Sequence, residues 1–175
     1  IGEGEALLDQ STAAGGGDDY VARANLAYLR GNYLDAVALL HPLLAQPGAS
    51  PQDRLTIAAA ERTLGQCFTR LRQYDRAERH FDRAIAAYED LLGAVHPTTA
   101  FARSERTTVL LGAARPAEAL ANAERALRAH QRLQGRVAPR ALGFAHAGYA
   151  FALKAAGRRQ AALAAFGDAL AILDQ

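Results

Sequence analysis

The feature that most constrains the fold of this chain is an internal repeat of about 42 residues. A small residue marks the same position in four copies, at Ala36, Ala77, Ala119 and Ala162, with spacings of 41, 42 and 43 residues. A regular period of roughly 20 to 50 residues indicates an array of stacked structural units. We therefore expect one elongated array, with four copies filling the chain from about residue 18 to its end.

The offsets within each copy indicate two antiparallel helices. In the stretch TLGQCFTRLRQYDRAERHFDRAI, Gly65 is followed 12 residues later by Ala77, and Phe81 and Ala84 come after it. Small residues allow two helix axes to approach closely, and a bulky side chain at Ala77 would push the pair apart. The positions that we assign to packing within the repeats are Ala24, Ala36, Leu40, Gly65, Ala77, Phe81, Ala84, Ala119, Ala126, Ala150, Ala162, Phe166 and Ala169.

Short turn signals separate the two helices of each copy. They read RGNY, RLRQY, AARP and AAGRR in the four copies. Gly31 and Gly157 are typical of the left-handed residue that follows a helix, and Pro116 is typical of a first helical turn. These residues predict a tight turn at the same place in each unit.

A second kind of joint connects one copy to the next. The stretch LLGAVHPTTA carries Gly93, His96 and Pro97, and 42 residues later the Gly and the Pro recur as Gly135 and Pro139, whereas the His does not. Gly ends a helix and Pro starts the next one for backbone reasons. We predict a structural role in loop packing for His96, because no second ligand or acid partner stands at a metal or catalytic spacing from it.

The pattern of small and apolar positions resembles the tetratricopeptide repeat, a helix-turn-helix unit of roughly 34 residues. The longer period resembles the form found in kinesin light chains, which carries LG..HP.TA between copies, as Leu92, Gly93, His96, Pro97, Thr99 and Ala100 do here. The resemblance implies an all-α fold, a right-handed α-solenoid of about four helix-turn-helix repeats.

The domain boundaries follow from the repeat. We expect repeats at about residues 18–50, 51–96, 97–138 and 139–175. Residues 1–17 are interpreted as the tail of a preceding repeat helix plus a Gly-rich loop, because EALLDQ near the start echoes LAILDQ at the end. The three glycines of the loop have no GxGxxG or GK[ST] context and give little support to a phosphate site.

The composition and the motifs argue against several classes of function. Twenty basic and 18 acidic residues are interleaved and leave a net charge of +2, which favours neither nucleic acid nor an anionic membrane as partner. No apolar run approaches the roughly 18 residues of a membrane helix. The signatures of metalloproteases, hydrolases, nucleotide-binding loops and kinases are absent, and the single Cys67 stands in an apolar helical register. We expect no enzyme activity, cofactor or metal.

The remaining function of such an array is recognition, because stacked first helices line the concave face of a solenoid. With Gly65 and Ala150 as contacts toward the second helix, a defined set of side chains faces the groove. We predict a site for a peptide or a partner helix with acidic groups and an apolar anchor. The groove set is Asn25, Tyr28, Arg62, Gln66, Thr69, Arg70, Phe101, Ser104, Thr108, Phe144, Phe151 and Lys154.

The leading hypothesis is a non-catalytic scaffold, the repeat region of a larger bacterial regulatory or signalling protein. The chain contains no Met, and its Arg, Ala and Gly usage is typical of a GC-rich bacterial genome. We expect a cytoplasmic location, with a periplasmic part of a membrane-anchored regulator as the alternative. Two rivals stay open: an enzyme fragment that uses His96 or His146, and a self-association module that dimerises through its terminal helices.

Overall fold

A computed structural model describes residues 16–45, 48, 50–133 and 136–174, and these residues form eight helices with no strand among them. The all-helical solenoid that the repeat predicts is confirmed. Positions 1–15, with the predicted tail helix, and Gly135 lie outside the described residues. The helices are α1 (Gly17–Leu29), α2 (Tyr33–Leu44), α3 (Pro51–Arg70), α4 (Tyr74–Leu92), α5 (Pro97–Gly112), α6 (Pro116–Arg132), α7 (Pro139–Ala155) and α8 (Arg159–Leu173).

The helices pair in chain order, and each pair is closed by the same turn. A residue in the left-handed conformation follows the first helix of every pair, at Gly31, Arg72, Ala114 and Gly157, with φ of 83°, 60°, 56° and 79°. The next amide donates a hydrogen bond back to a carbonyl oxygen in the last helical turn, as from Asn32 to Ala27 over 2.9 Å. The turn shape is therefore the same whether or not glycine occupies it.

Small residues lie where the two helices of a pair approach each other. Ala36, Ala77 and Ala119 are fully buried, and Ala162 is nearly so. In the second pair, a Cβ on Gly65 would come within 2.7 Å of the Phe81 ring. Bulk at these positions has no room, which is the physical reason for the small-residue code.

The stack of pairs has an inner and an outer layer. The first helices α1, α3, α5 and α7 contact one another in series. Each second helix contacts its own first helix and the first helix of the next pair, but no second helix contacts another within the described residues. The first helices are thus closer together and line the concave side of the solenoid.

The joint between the second and third pairs is built from Gly93, His96 and Pro97. Gly93 has φ of 94° at the end of α4, and Pro97 is the first residue of α5. The Nδ1 atom of His96 accepts a hydrogen bond from the Thr98 amide over 3.2 Å. His96 therefore caps α5, since the first amides of a helix have no partner within it.

Candidate functional site

Two clefts open on the concave side of the solenoid. The small cleft has a volume of about 260 Å³ and receives side chains from all four first helices. The large cleft, of about 520 Å³, lies toward the N-terminal ends of α5 and α7. The small cleft is lined by Tyr28, Gln66, Thr69, Arg70, Phe81, Glu105, Thr108 and Phe144. The large cleft is lined by Ala59, Arg62, Tyr88, Pro97, Thr98, Phe101, Arg136, Val137, Ala138 and Ala141.

The structure brings together eight of the 12 side chains that the sequence assigns to the groove. Phe101 and Phe144 join the two clefts, because their ring centroids lie 5.7 Å apart. The Arg62 guanidinium lies 5.9 Å from the centroid of the Phe101 ring. Those in the small cleft are Tyr28, Gln66, Thr69, Arg70, Thr108 and Phe144, and those in the large cleft are Arg62 and Phe101.

The predicted register is wrong for Ser104, which is 3% exposed. Its hydroxyl donates to the Ala100 carbonyl oxygen over 3.2 Å and lies 3.3 Å from Nε2 of the buried His130. Ser104 therefore points from α5 toward α6 and away from the groove. The position follows from how α6 packs on α5, which the spacing along one helix does not specify.

Three other predicted groove residues line neither cleft. The Asn25 Oδ1 atom accepts a hydrogen bond from the Thr63 hydroxyl over 2.9 Å, which ties α1 to α3. Phe151 meets Phe166 edge to face, with ring centroids 5.0 Å apart, so its ring lies against α8. Lys154 is exposed near the end of α7. These residues border the concave side without forming its floor.

Glu105 is a groove residue that the sequence reasoning missed. Both of its carboxylate oxygens lie within 3.2 Å of Arg62 Nη1, and Gln66 donates a further hydrogen bond to it. Burial raises the pKa of the Glu105 carboxyl, while its contacts with Arg62 and Gln66 act in the opposite direction. The signal was present in the sequence as opposite charges on successive first helices, one repeat apart.

The Glu105 pair changes which cations a partner can reach. Arg62 and Gln66 were predicted as donors to an acidic partner, but the chain itself supplies their acceptor. Arg70 is exposed, and its Nε atom donates to the Tyr33 hydroxyl over 3.0 Å. Arg136 is exposed at the rim of the large cleft, whose lining includes no acidic residue. Arg70 and Arg136 are thus the cations at the groove surface.

The histidines and the cysteine have structural surroundings in the described part of the chain. His130 is 1% exposed, so a substrate cannot reach the contact between it and Ser104. Nδ1 of His80 lies 2.5 Å from a Glu61 oxygen, and its ring stacks on Phe68. Burial raises the pKa of Cys67 to about 11, which leaves the thiol protonated at neutral pH.

Neither a metal-binding cluster nor a membrane-spanning helix is found in the described ranges. No group of three or more His, Cys, Asp or Glu side chains there could hold a metal ion. None of the described helices is both long and apolar enough to cross a bilayer.

Comparison with known proteins supports the repeat assignment. Residues 56–132 match the sequence model of the tetratricopeptide repeat family. No curated protein matches the chain. The fold is similar to BtubC (BKLC) from P. vanneervenii, with a TM-score of 0.79 and 24% identity over 90% of this chain. This chain spans 63% of the length of BtubC.

Two further structures are similar in fold. A point-substituted form of nearly identical TPR-like repeats, from a candidate kinesin light chain of Podosopora anserina, has a TM-score of 0.74 and 18% identity, covering 96% of this chain and 82% of that one. Another structure of those repeats has a TM-score of 0.69 and 18% identity, covering 90% of this chain and 74% of that one. Identities this low describe the fold alone.

Proposed function

We propose that this chain, a tetratricopeptide repeat protein, is a non-catalytic scaffold that holds an extended peptide or a helix of a partner protein in its concave groove. The observation that carries the proposal is the small cleft, to which α1, α3, α5 and α7 all contribute side chains. A surface built from successive repeats presents side chains at fixed spacing along one direction, which suits an extended partner.

The apolar part of the groove supports a partner with an apolar anchor. Phe144 is 41% exposed although its ring packs against Phe101. An aromatic ring that is held by a neighbour and still open to solvent offers contact area at a low cost in conformational entropy. We place the anchor of the partner over Phe144, between the two clefts.

The charges of the groove support an acidic partner. Arg70 stands at the small cleft and Arg136 at the large cleft, while the single acidic lining residue, Glu105, is held by Arg62. A planar guanidinium binds a carboxylate with two parallel hydrogen bonds, which gives geometric specificity. Acidic groups on either side of the anchor would therefore meet Arg70 and Arg136.

The wider role is a proposal of the same kind. We infer that the chain is the repeat region of a larger bacterial regulatory or signalling protein, and that it acts in the cytoplasm. The Arg-rich, Ala-rich and Gly-rich composition supports a bacterial source. The absence of a catalytic signature in the sequence supports binding as the role of this region.

A peptide-binding measurement tests the groove. Peptides with acidic residues flanking one aromatic residue would be selected from a displayed library, and their affinities for variants measured by fluorescence polarisation. We expect the double variant Arg70→Glu, Arg136→Glu to bind at least about tenfold more weakly, which corresponds to roughly 1.4 kcal/mol. Equal binding by this variant and the wild type would overturn the proposal.

A matched control keeps the net charge change the same. Arg79 and Arg125 are exposed on the second helices α4 and α6, outside both clefts. We expect Arg79→Glu, Arg125→Glu to leave the affinity unchanged. An equal loss in both double variants would indicate attraction by net charge alone and would contradict a groove site.

A further inference from the structure

The outer face of α8 is apolar and uncovered. Leu163 and Leu170 are 71% and 62% exposed. Their counterparts one repeat earlier, Leu120 and Leu127 on α6, are only 7% and 8% exposed, because α7 packs on that helix. The α8 leucines therefore occupy positions at which the fold normally buries a side chain against another helix. We call this surface, made of Leu163, Gly167 and Leu170, the α8 face.

The centre of the α8 face differs from the joints inside the solenoid. Gly167 stands where α4 has Asp82 and α6 has Glu124. In α4 that acid forms an ion pair with Arg106 of the next first helix, at 2.7 Å. A Cβ on Gly167 would meet nothing within 4 Å. The α8 face thus has no acid for a joint of that kind and has a small centre that allows another helix axis to come close.

The ends of α8 carry opposite charges. Arg158 and Arg159 stand at its N-terminal end, Asp168 and Asp174 stand toward its C-terminal end, and no charged residue lies between Arg159 and Asp168. Residues three and four apart share a helix face, so Leu163, Gly167 and Leu170 form one stripe. If the helix is rotated end to end about Gly167, leucine falls beside leucine and the basic end falls beside the acidic end.

We propose that the α8 face is a docking surface for a second copy of this chain, with the two α8 helices antiparallel and crossing at Gly167. Leu163 of each copy packs beside Leu170 of the other. The Arg159 end of each helix lies beside the Asp174 end of its partner. Such an interface is self-complementary and closes as a two-fold dimer.

A head-to-tail contact fits the structure less well. The opposite end of the stack presents α1, where Asp19 and Arg23 form an ion pair at 3.0 Å. The equivalent positions in α3 are the buried Ala60 and Leu64. The α1 surface is therefore polar at the positions that would have to cover the leucines of another copy, and covering it would desolvate both charges.

Sedimentation velocity and cross-linking test the dimer on the 175-residue chain. From about 1 μM to about 200 μM, we expect the apparent mass to rise from 18.6 kDa toward twice that value. Leu170→Glu should keep the chain at 18.6 kDa, with its helical circular dichroism unchanged, because the side chain is exposed in the single copy. A wild type that stays at 18.6 kDa across the whole series would overturn the proposal.

The native cysteine makes the cross-link specific. Cys67 is fully buried, so an introduced surface cysteine is the reactive thiol. We expect Gly167→Cys to form a disulfide-linked dimer under mild oxidation, because the two copies meet at that residue. Leu34→Cys, at a 68% exposed position on α2, is the control and should stay uncross-linked. Equal cross-linking of both variants, or polymers that lengthen with concentration, would contradict the antiparallel α8 pair.

Discussion

Gly65 and Phe81 form the tightest contact between α3 and α4: a Cβ on the glycine would lie 2.7 Å from the ring of the phenylalanine. Phe81 is 1% exposed and closely held, so the ring cannot move aside without disturbing the core. The contact joins the two helices of the second repeat, and it depends on the absence of a side chain at one position. It therefore offers a direct check of the repeat geometry.

Gly65→Ala is expected to lower the free energy of unfolding by about 1 to 3 kcal/mol, because the added methyl group overpacks the helix pair. Gly148→Ala is the matched control, since Gly148 lies within α7 and a Cβ there would meet nothing within 4 Å. That substitution should be neutral or stabilise by up to about 1 kcal/mol through helix propensity. Urea denaturation followed by circular dichroism measures both, and equal effects would contradict the packing.

The turn between α5 and α6 holds Ala114 at φ of 56°, a conformation that costs a non-glycine residue about 1 kcal/mol or more. Ala114→Gly should therefore stabilise the chain by roughly 0.5 to 1 kcal/mol. The reverse change in the first turn, Gly31→Ala, should destabilise by a similar amount, because Gly31 has φ of 83°. Thermal melting of the two variants should shift in opposite directions; shifts of the same sign would be inconsistent with a common turn.

The Arg62 and Glu105 side chains are mostly buried together, at 22% and 11% exposed. Removing one partner leaves the other charge without its counterion in a poorly solvated place, so Glu105→Ala should cost about 2 kcal/mol or more. A double-mutant cycle with Arg62→Ala should give a favourable coupling energy of roughly 1 to 3 kcal/mol. A coupling near zero would show that the pair does not tie α3 to α5.

The buried His130 predicts a pH dependence of stability. Burial lowers the pKa of its imidazole below the usual 6.5, with a smaller contribution of the same sign from His146. Below about pH 6.5 the unfolded chain takes up a proton that the folded chain resists, so stability falls as the pH drops from 6.5 toward the lowered pKa.

The measurement compares the wild type with His130→Gln, whose amide can still bond to Ser104. Urea denaturation between about pH 7.5 and pH 5 should show the wild type losing stability relative to the variant on acidification. The other titratable groups, Glu105 included, are present in both chains and cancel in the difference. Parallel pH profiles would refute a lowered pKa for His130.

The helices could be predicted from the sequence because their causes are local. Ala77 makes room between paired helices, and Pro97 and Gly31 fix a helix start and a turn through their own backbone preferences. These signals recur at a constant period, so each copy supports the interpretation of the others. The same reasoning located Tyr28 and Phe144 in one groove although they are far apart in the chain.

The remaining features depend on side chains from different repeats. Arg62 was interpreted as a donor open to a partner, whereas Glu105 of the next first helix holds it. Ser104 was placed in the groove because its helix register allowed it, but His130 on α6 lies beside it in the core. Both outcomes depend on how one helix is rotated against its neighbour, and a single sequence does not give that angle.

The central claim is that a partner peptide lies over Phe144 in the concave groove. The chain contains no tryptophan, so Phe144→Trp creates a single fluorescent reporter there, and Leu34→Trp creates a control on α2. Both variants would be titrated with a peptide from the acidic, aromatic selection. We predict a saturable blue shift of the Phe144→Trp emission and none from Leu34→Trp. An unchanged Phe144→Trp spectrum at saturating peptide would contradict the account.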